Sequence, residues 1–325
     1  MKGRGIAVVG SLNMDVVVTM PRLPRIGETM RGEAVRYVPG GKGANQAYGL
    51  ARLEAPVAMV GLLGADGFGE RIRRQLAEAG VELTAVETSE AHATGTAHIS
   101  LTREDNCIVV VPGANEGCDA GYIERHAGAI SGAAITVAQL EIPLAAVERA
   151  FRIAKEAGGV TVLNPAPAAV LPASLLAVTD YLTPNETEWA MIGGSGHEGD
   201  SLGAADDADA GADEAEDSRL AASLRAWEAA EGANGTSYAK VIVTRGARGC
   251  SFLEDGELVT VPAPKVKVVD TTGAGDAFNA AFAYGLLHGK PLRANCAFAV
   301  KAASMAVQVF GAQDGMPHLE DLMRP

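Results

Sequence analysis

The sequence predicts an α/β protein on a mostly parallel central sheet, with a small antiparallel sheet set apart from it. Three observations carry that prediction. Short apolar runs alternate with helix-periodic stretches, the mark of βαβ units. Two β-rich excursions interrupt the alternation. Gly-rich turns recur where an apolar run gives way to a helical one, which is where open α/β sheets bind ligands.

In chain order, the strand candidates of the main sheet are Ile6–Val9, Val57–Val60, Ile135–Leu140, Val160–Leu163, Tyr181–Leu182 and Val241–Thr244. Between them, Ile72, Leu76 and Ala79 share a helical face before Gly80, and Val147, Phe151 and Ala154 share another before Gly158. The excursions are Val16–Thr19 with Thr29–Val38, then Thr96–Leu101 with Ile108–Val111 around the polar turn Arg103–Asn106. They are expected to form a lid from about 13–40 and 94–112 of one domain spanning 1–325. Asp255–Gly256 between Ser251–Leu253 and Leu258–Val261 signals a further hairpin.

The formal net charge is −13, and nine acids without a single Lys or Arg fall between Glu198 and Asp217. Without those nine the remainder carries only −4. So acidic a chain excludes a nucleic-acid or anionic-membrane binder that works by phosphate neutralisation. The Ala/Asp/Glu/Gly-rich stretch 193–218 lacks the apolar surface to order itself and is expected to be a disordered insertion. No segment has the length and apolarity of a membrane span. The apolar start is interrupted by Asn13 and Asp15 and reads as a strand rather than a signal peptide. Four scattered cysteines (Cys107, Cys118, Cys250, Cys296) suggest neither disulfides nor zinc, and a reduced cytoplasmic compartment fits them.

Five segments carry chemistry. Asp270–Phe278, "DTTGAGDAF", follows an apolar run and opens a helix in which Phe278, Phe282 and Leu286 recur before Gly289 and Pro291. A Gly-x-Gly turn there points backbone N–H groups and the positive end of the helix dipole at an anion. By itself the segment also reads as Asp276 capping a helix after a glycine turn. Gly40–Gln46, "GGKGANQ", is a second glycine turn, with Lys42 and Asn45 as donors but without the spacing of a Walker A loop. Asn13 and Asp15 end the first strand with groups suited to vicinal sugar hydroxyls, or to an Asx turn. Asn185–Glu188, "NETE", places Asn and Glu on one face of a helical turn, able to steady a hydrated Mg²⁺ or simply to cap the helix. Thr244–Gly249, "TRGARG", is a glycine-rich turn at the end of a strand. None of the six histidines sits in a recognisable triad or metal motif.

In this order the segments resemble the pfkB-type (ribokinase-like) carbohydrate kinases. The resemblance runs from "GSLNMD" at Gly10–Asp15 through "GGKGAN", "LNPAPA" at Leu163–Ala168, "TPNETE" and "DTTGAGDAF" to "GAQ" at Gly311–Gln313. It implies a three-layer α/β/α fold and ATP-dependent phosphorylation of a sugar, D-ribose at its 5-hydroxyl. It also implies roles. Asp276 would be the catalytic base, with Gly273, Ala274 and Gly275 as the anion hole. Asn13, Asp15, Gly41, Lys42, Gly43, Ala44, Asn45 and Glu141 would bind the sugar together with Asp276. Asn185, Thr244, Arg245, Gly246, Ala247, Arg248, Gly249 and Gly275 would bind ATP, with Val300 near the adenine. Glu188 would organise Mg²⁺ through water, and Asp270, Thr272, Ala306, Val309, Gly311 and Gly315 would hold an activating K⁺. Gly315 departs from the small hydroxyl residue often found there. The lid implies a homodimer. The alternatives are a pfkB-type kinase for deoxyribose, fructose or a nucleoside, or a non-catalytic sugar or nucleotide sensor on the same fold. A Rossmann dehydrogenase is disfavoured, because no G-x-G-x-x-G follows the first strand.

Overall fold

The computed structural model describes residues 5–102, 106–193, 210–234 and 239–324. The fourteen strands among them are β1 (Ile6–Val9), β2 (Asn13–Thr19), β3 (Ala34–Gly40), β4 (Val57–Gly64), β5 (Glu82–Ser89), β6 (Gly95–Leu101), β7 (Asn106–Val111), β8 (Ile135–Ala138), β9 (Val160–Leu163), β10 (Tyr181–Leu182), β11 (Lys240–Val241), β12 (Val243–Thr244), β13 (Cys250–Glu254) and β14 (Glu257–Val261). Seven form one parallel sheet in the order β11-β10-β9-β8-β1-β4-β5.

Alternation along the central strand β1 explains the three layers. Ile6 and Val8 turn toward one cluster, which contains Phe278, Ala280 and Phe282 of the helix Ala274–Leu287. Val9 turns to the other cluster, with Val147, Ala150 and Phe151 of the helix Leu144–Glu156. With helices on both faces the strands are buried on both sides, so β1 and β8 are apolar or small throughout.

The lid is a four-stranded sheet in the order β3-β2-β6-β7. Its outer pairs are antiparallel, as the hairpin patterns predict, but the middle pair β2–β6 is parallel, because two separate excursions meet there side by side. Thr29–Val38 contributes a strand only from Ala34 onward. Most of the turn Arg103–Asn106 lies outside the described residues.

Two further expectations change. Val241–Thr244 is divided, β11 joining the main sheet and β12 the small β12-β13-β14 sheet. The hairpin β13–β14 closes through Asp255 and Gly256, both at positive φ (52° and 80°), as a two-residue turn of this type requires. The stretch 193–218 is not wholly without structure: Gly193 ends one helix, and Ala210–Ser218 begins the helix Ala210–Asn234. The rest of that stretch lies outside the described residues. Its acids gain order from distant partners: Asp213 and Glu216 pair with Arg248, and Asp217 with Arg245.

Candidate functional site

The predicted sugar residues converge where β1, β8 and the lid meet. Asn13 and Asp15 open β2, in register with Gly40 and Val38 at the end of β3. The chain then turns at Gly41 into the helix Lys42–Arg52. Glu141 follows β8, and its Oε2 accepts from Ser11 Oγ (2.5 Å) and from the Lys42 backbone N–H (3.1 Å). Asn13 is 3% exposed, and its Oδ1 accepts from Asn115 Nδ2 at 2.7 Å. The Asn115 Oδ1 in turn accepts from the backbone N–H of Leu12 (2.9 Å). That double grip turns the Asn13 amide so that its oxygen is spent on protein and its donors remain for a ligand.

Asp276 lies in the first turn of the helix Ala274–Leu287, whose N-cap is Gly273 at φ 78°. It is not the cap. Each of its oxygens instead accepts from an amide of the neighbouring helix: Oδ2 from Asn45 Nδ2 and Oδ1 from Gln46 Nε2, both at 2.9 Å. The Asn45 Oδ1 accepts from Gln313 Nε2 (3.1 Å), and Gln313 Oε1 from Gln75 Nε2 (2.7 Å). Gln46 also donates to Asn164 Oδ1 (3.1 Å) and accepts from Gln139 Nε2 (2.6 Å).

The electrostatics follow from crowding acids around one lysine. Burial pushes the Asp15 carboxyl up to about 7, with Glu141 and Asp276 adding to the rise and Lys42 opposing it. Burial likewise raises Asp276, against the pull of Lys42 and the Asn45 and Gln46 hydrogen bonds. Burial disfavours the Lys42 ammonium, but Asp276, Glu141, Glu188 and Asp15 outweigh it and hold its pKa above the ordinary value. The Lys42 ammonium and the helix N-terminus at Gly273 are the positive elements of an otherwise acidic site, able to offset negative charge brought beside Asp276.

The nucleotide candidates form a second group. Asn185 and Glu188 cap their helix reciprocally: Glu188 Oε2 accepts from the Asn185 N–H, and Asn185 Oδ1 from the Glu188 N–H, both at 2.8 Å. Burial raises the Glu188 pKa. Thr244 bridges to Asn185, and the turn beyond it is shaped by Gly246 and Gly249 at positive φ, with Gly246 and Ala247 exposed. Arg245 and Arg248 do not stand free. Arg245, 3% exposed, contacts Glu186, Asp217 and Ser251; Arg248 contacts Glu186, Asp213 and Glu216. Val300 is packed in the core on the helix Leu292–Ala306.

A third group surrounds Asp270. Its Oδ1 accepts from Thr272 N–H and Oγ1, and its Oδ2 from the Gly311 N–H at 2.9 Å. Those bonds outweigh partial burial and hold its carboxyl below the ordinary range. A Cβ on Gly315 would fall 2.5 Å from the Ala306 carbonyl oxygen and 3.3 Å from that of Gly311. Glycine is therefore what this backbone arrangement accepts at 315. Val309 is exposed.

Sequence reasoning missed Asn115, Gln139 and Gln75, and passed over Gln46, Asn164 and Gln313 although they lie inside quoted motifs. Their roles become visible only through partners far away in the chain.

Comparison with known proteins identifies the family. Residues 4–319 match the model of the pfkB family of carbohydrate kinases. The chain is 38% identical to a ribokinase of Bacillus subtilis, across 97% of this chain and 96% of the relative. It is 36% identical to a ribokinase of Lactococcus lactis, across 98% and 95%. A solved structure of ribokinase from Arabidopsis thaliana, complexed with ribose and ATP, superposes with a TM-score of 0.83 at 32% identity, covering 98% of this chain and 97% of that one.

Proposed function

The chain belongs to the pfkB family of carbohydrate kinases, and from that premise we propose that it transfers the γ-phosphoryl group of ATP to the 5-hydroxyl of D-ribose. One observation carries the proposal: a buried carboxylate, Asp276, stands at a glycine-opened helix N-terminus, held by two amides beside Lys42. In this reading Asp276 accepts the proton of the 5-hydroxyl as the O5–phosphorus bond forms and the bond from phosphorus to the β–γ bridging oxygen breaks. The N–H groups of Gly273 and Gly275, at the positive end of the helix, face the charge gathering on the transferring phosphoryl, and Ala274, whose N–H donates to the Thr271 carbonyl (3.2 Å), shapes the turn between them.

Asn13, Asp15 and Glu141 receive the ring hydroxyls, with Gly41, Lys42, Gly43, Ala44 and Asn45 completing the sugar side. Asn185, Thr244, Gly246, Ala247 and Gly249 form the nucleotide side, and Arg245 and Arg248 support that loop through their acidic partners. Among the described residues no group of three His, Cys, Asp or Glu side chains could hold a metal. The donors fit cations bound through water or carbonyl oxygens instead. Glu188, with one oxygen already bonded to Asn185, suits a hydrated Mg²⁺. When bound with the nucleotide, Mg²⁺ neutralises charge on the phosphate oxygens. The carbonyls of Ala306 and Gly311, which converge beside Gly315, together with Asp270, Thr272 and Val309, suit a K⁺.

The lid exposes Val35, Tyr37, Ile108, Val109, Val110 and Val111, a surface suited to pairing two copies as a homodimer. Among the described residues no helix is long and apolar enough to cross a membrane. All four cysteines are free, in keeping with a reducing cytoplasmic setting.

The test is ADP release with ATP and Mg²⁺ across ribose, deoxyribose, fructose and adenosine. Turnover with ribose, and weaker turnover with deoxyribose, is expected, because acceptors built for a hydroxyl discriminate strongly against its absence. Turnover with another sugar alone would reassign the substrate. Binding without turnover of any of them would favour a sensor.

A further inference from the structure

Gln46 is fully buried, and each polar atom of its amide has a partner. One Nε2 hydrogen goes to Asp276 Oδ1 and the other to Asn164 Oδ1, while Oε1 accepts from Gln139 Nε2. Its orientation is fixed through Asn164. Asn164 turns its own Nδ2 to the Thr183 carbonyl (3.4 Å), which leaves Asn164 Oδ1 facing Gln46 and asking for a donor. Gln139 donates Nε2 to Gln46, while its own Oε1 is buried without a hydrogen-bond partner among the described residues, so Gln139 follows Gln46 rather than fixing it. Flipping the Gln46 amide would set its oxygen against both the Asp276 and Asn164 oxygens, two mismatches in a buried site.

We propose that Gln46 is the positioning residue of the catalytic base, its amide oriented by Asn164 and bonded by Gln139 so that it holds the Asp276 carboxylate in one orientation. The inference rests on the reading of Asp276 as the base. A packing role alone accounts poorly for the arrangement, since buried amides are costly unless bonded and an apolar side chain of the same volume would fill the space. Here the bonds running from β8 through Gln139 and from β9 through Asn164 end on one oxygen of the reacting acid. Asn45 holds the other oxygen, so the carboxylate plane is set before any sugar arrives. A hydrogen bond donated to the ionised form also keeps the carboxylate charged at a depth where burial works against charge.

The test compares wild type with Gln46→Met, Gln46→Glu, Gln139→Leu and the double variant Gln46→Met with Gln139→Leu. Two readouts are taken: kcat/KM against pH, and the ¹³C titration of the Asp276 carboxyl in ligand-free protein labelled at Asp Cγ, assigned by its absence in Asp276→Asn. Gln46→Met is expected to lower kcat about 10²-fold and to move both the acid limb of the profile and the Asp276 titration to higher pH. Gln46→Glu, which keeps the side-chain length but sets acid against acid, is expected to move them further. Gln139→Leu is expected to lower kcat about tenfold, and to add nothing once Gln46 is Met. The inference is overturned if Gln46→Met leaves the Asp276 titration where wild type has it, or if the two single effects multiply in the double variant. Should wild type lack kinase activity, the reading of Asp276 as base falls, and an unmoved titration would then separately overturn the role of Gln46.

Discussion

The sugar side and the nucleotide side of the cleft are built on different principles. On the sugar side, Asn13, Asn45, Gln46 and Asp276 are all under a tenth exposed, and neutral amides hold them from several strands and helices at once. On the nucleotide side, Thr272, Gly275, Gly246 and Ala247 lie open to solvent, and the adjoining loop is steadied by ion pairs between Arg245, Arg248 and the acidic helix. Buried amide networks keep their geometry whatever the salt, whereas partly exposed ion pairs such as those of Arg248 are screened and soft. The difference suggests a division of labour. In the proposed reaction the proton-accepting half is organised in advance, and the phosphate-accepting half is completed by its ligand.

The most severe way to break the organised half is Asp276→Asn, which keeps shape and removes the base. It is expected to lower kcat by about 10²–10⁴-fold with little change in the KM for ATP, measured by coupled ADP release. Next, Asn45→Leu removes the donor to Asp276 Oδ2 and the acceptor for Gln313 together. It is expected to cost about 10²-fold in kcat/KM for the sugar. Third comes pH. With Asp15 near 7, its ionised form is lost as pH falls through that value, so the sugar KM at pH 6 is expected to be about tenfold its value at pH 8.5.

The same group sharpens the comparison through stability. The native Asp15 binds its proton more tightly than the unfolded chain does, so its burial penalty is absent below about pH 4, grows between there and 7, and is complete above. Asp15→Asn is accordingly expected to raise the melting temperature at pH 8 by about 2–4 °C for each kcal/mol relieved, and not at pH 4. The smallest effect belongs to the other half. Arg248→Gln is expected to cost at most about 1 kcal/mol of stability, and 0.5 M salt to raise the KM for ATP more than that for the sugar.

How much of this was legible in the sequence depended on whether the signal was local. The strand Ile6–Val9, the helix faces of Ile72 and Val147, the hairpin at Asp255–Gly256 and the glycine turn before Asp276 are written in neighbouring residues, and the structure has them all. Strand β5 was not legible, because ELTAVETS mixes exposed charges with only two buried residues at the sheet edge. The start of the helix Ala210–Asn234 was misread for the opposite reason: its acids look solvated locally and are paired by arginines some thirty residues on. Gln46, Gln139 and Asn115 carry no signature of their own, since an amide's role is set by partners about a hundred residues away.

The most direct measurement of the central claim is ³¹P NMR of ribose, ATP and Mg²⁺ incubated with wild type and with Asp276→Asn at matched, folded concentrations. The account predicts a ribose 5-phosphate resonance growing with ADP in wild type and its near absence with Asp276→Asn. Ribose 5-phosphate forming at a comparable rate without the carboxylate would contradict it.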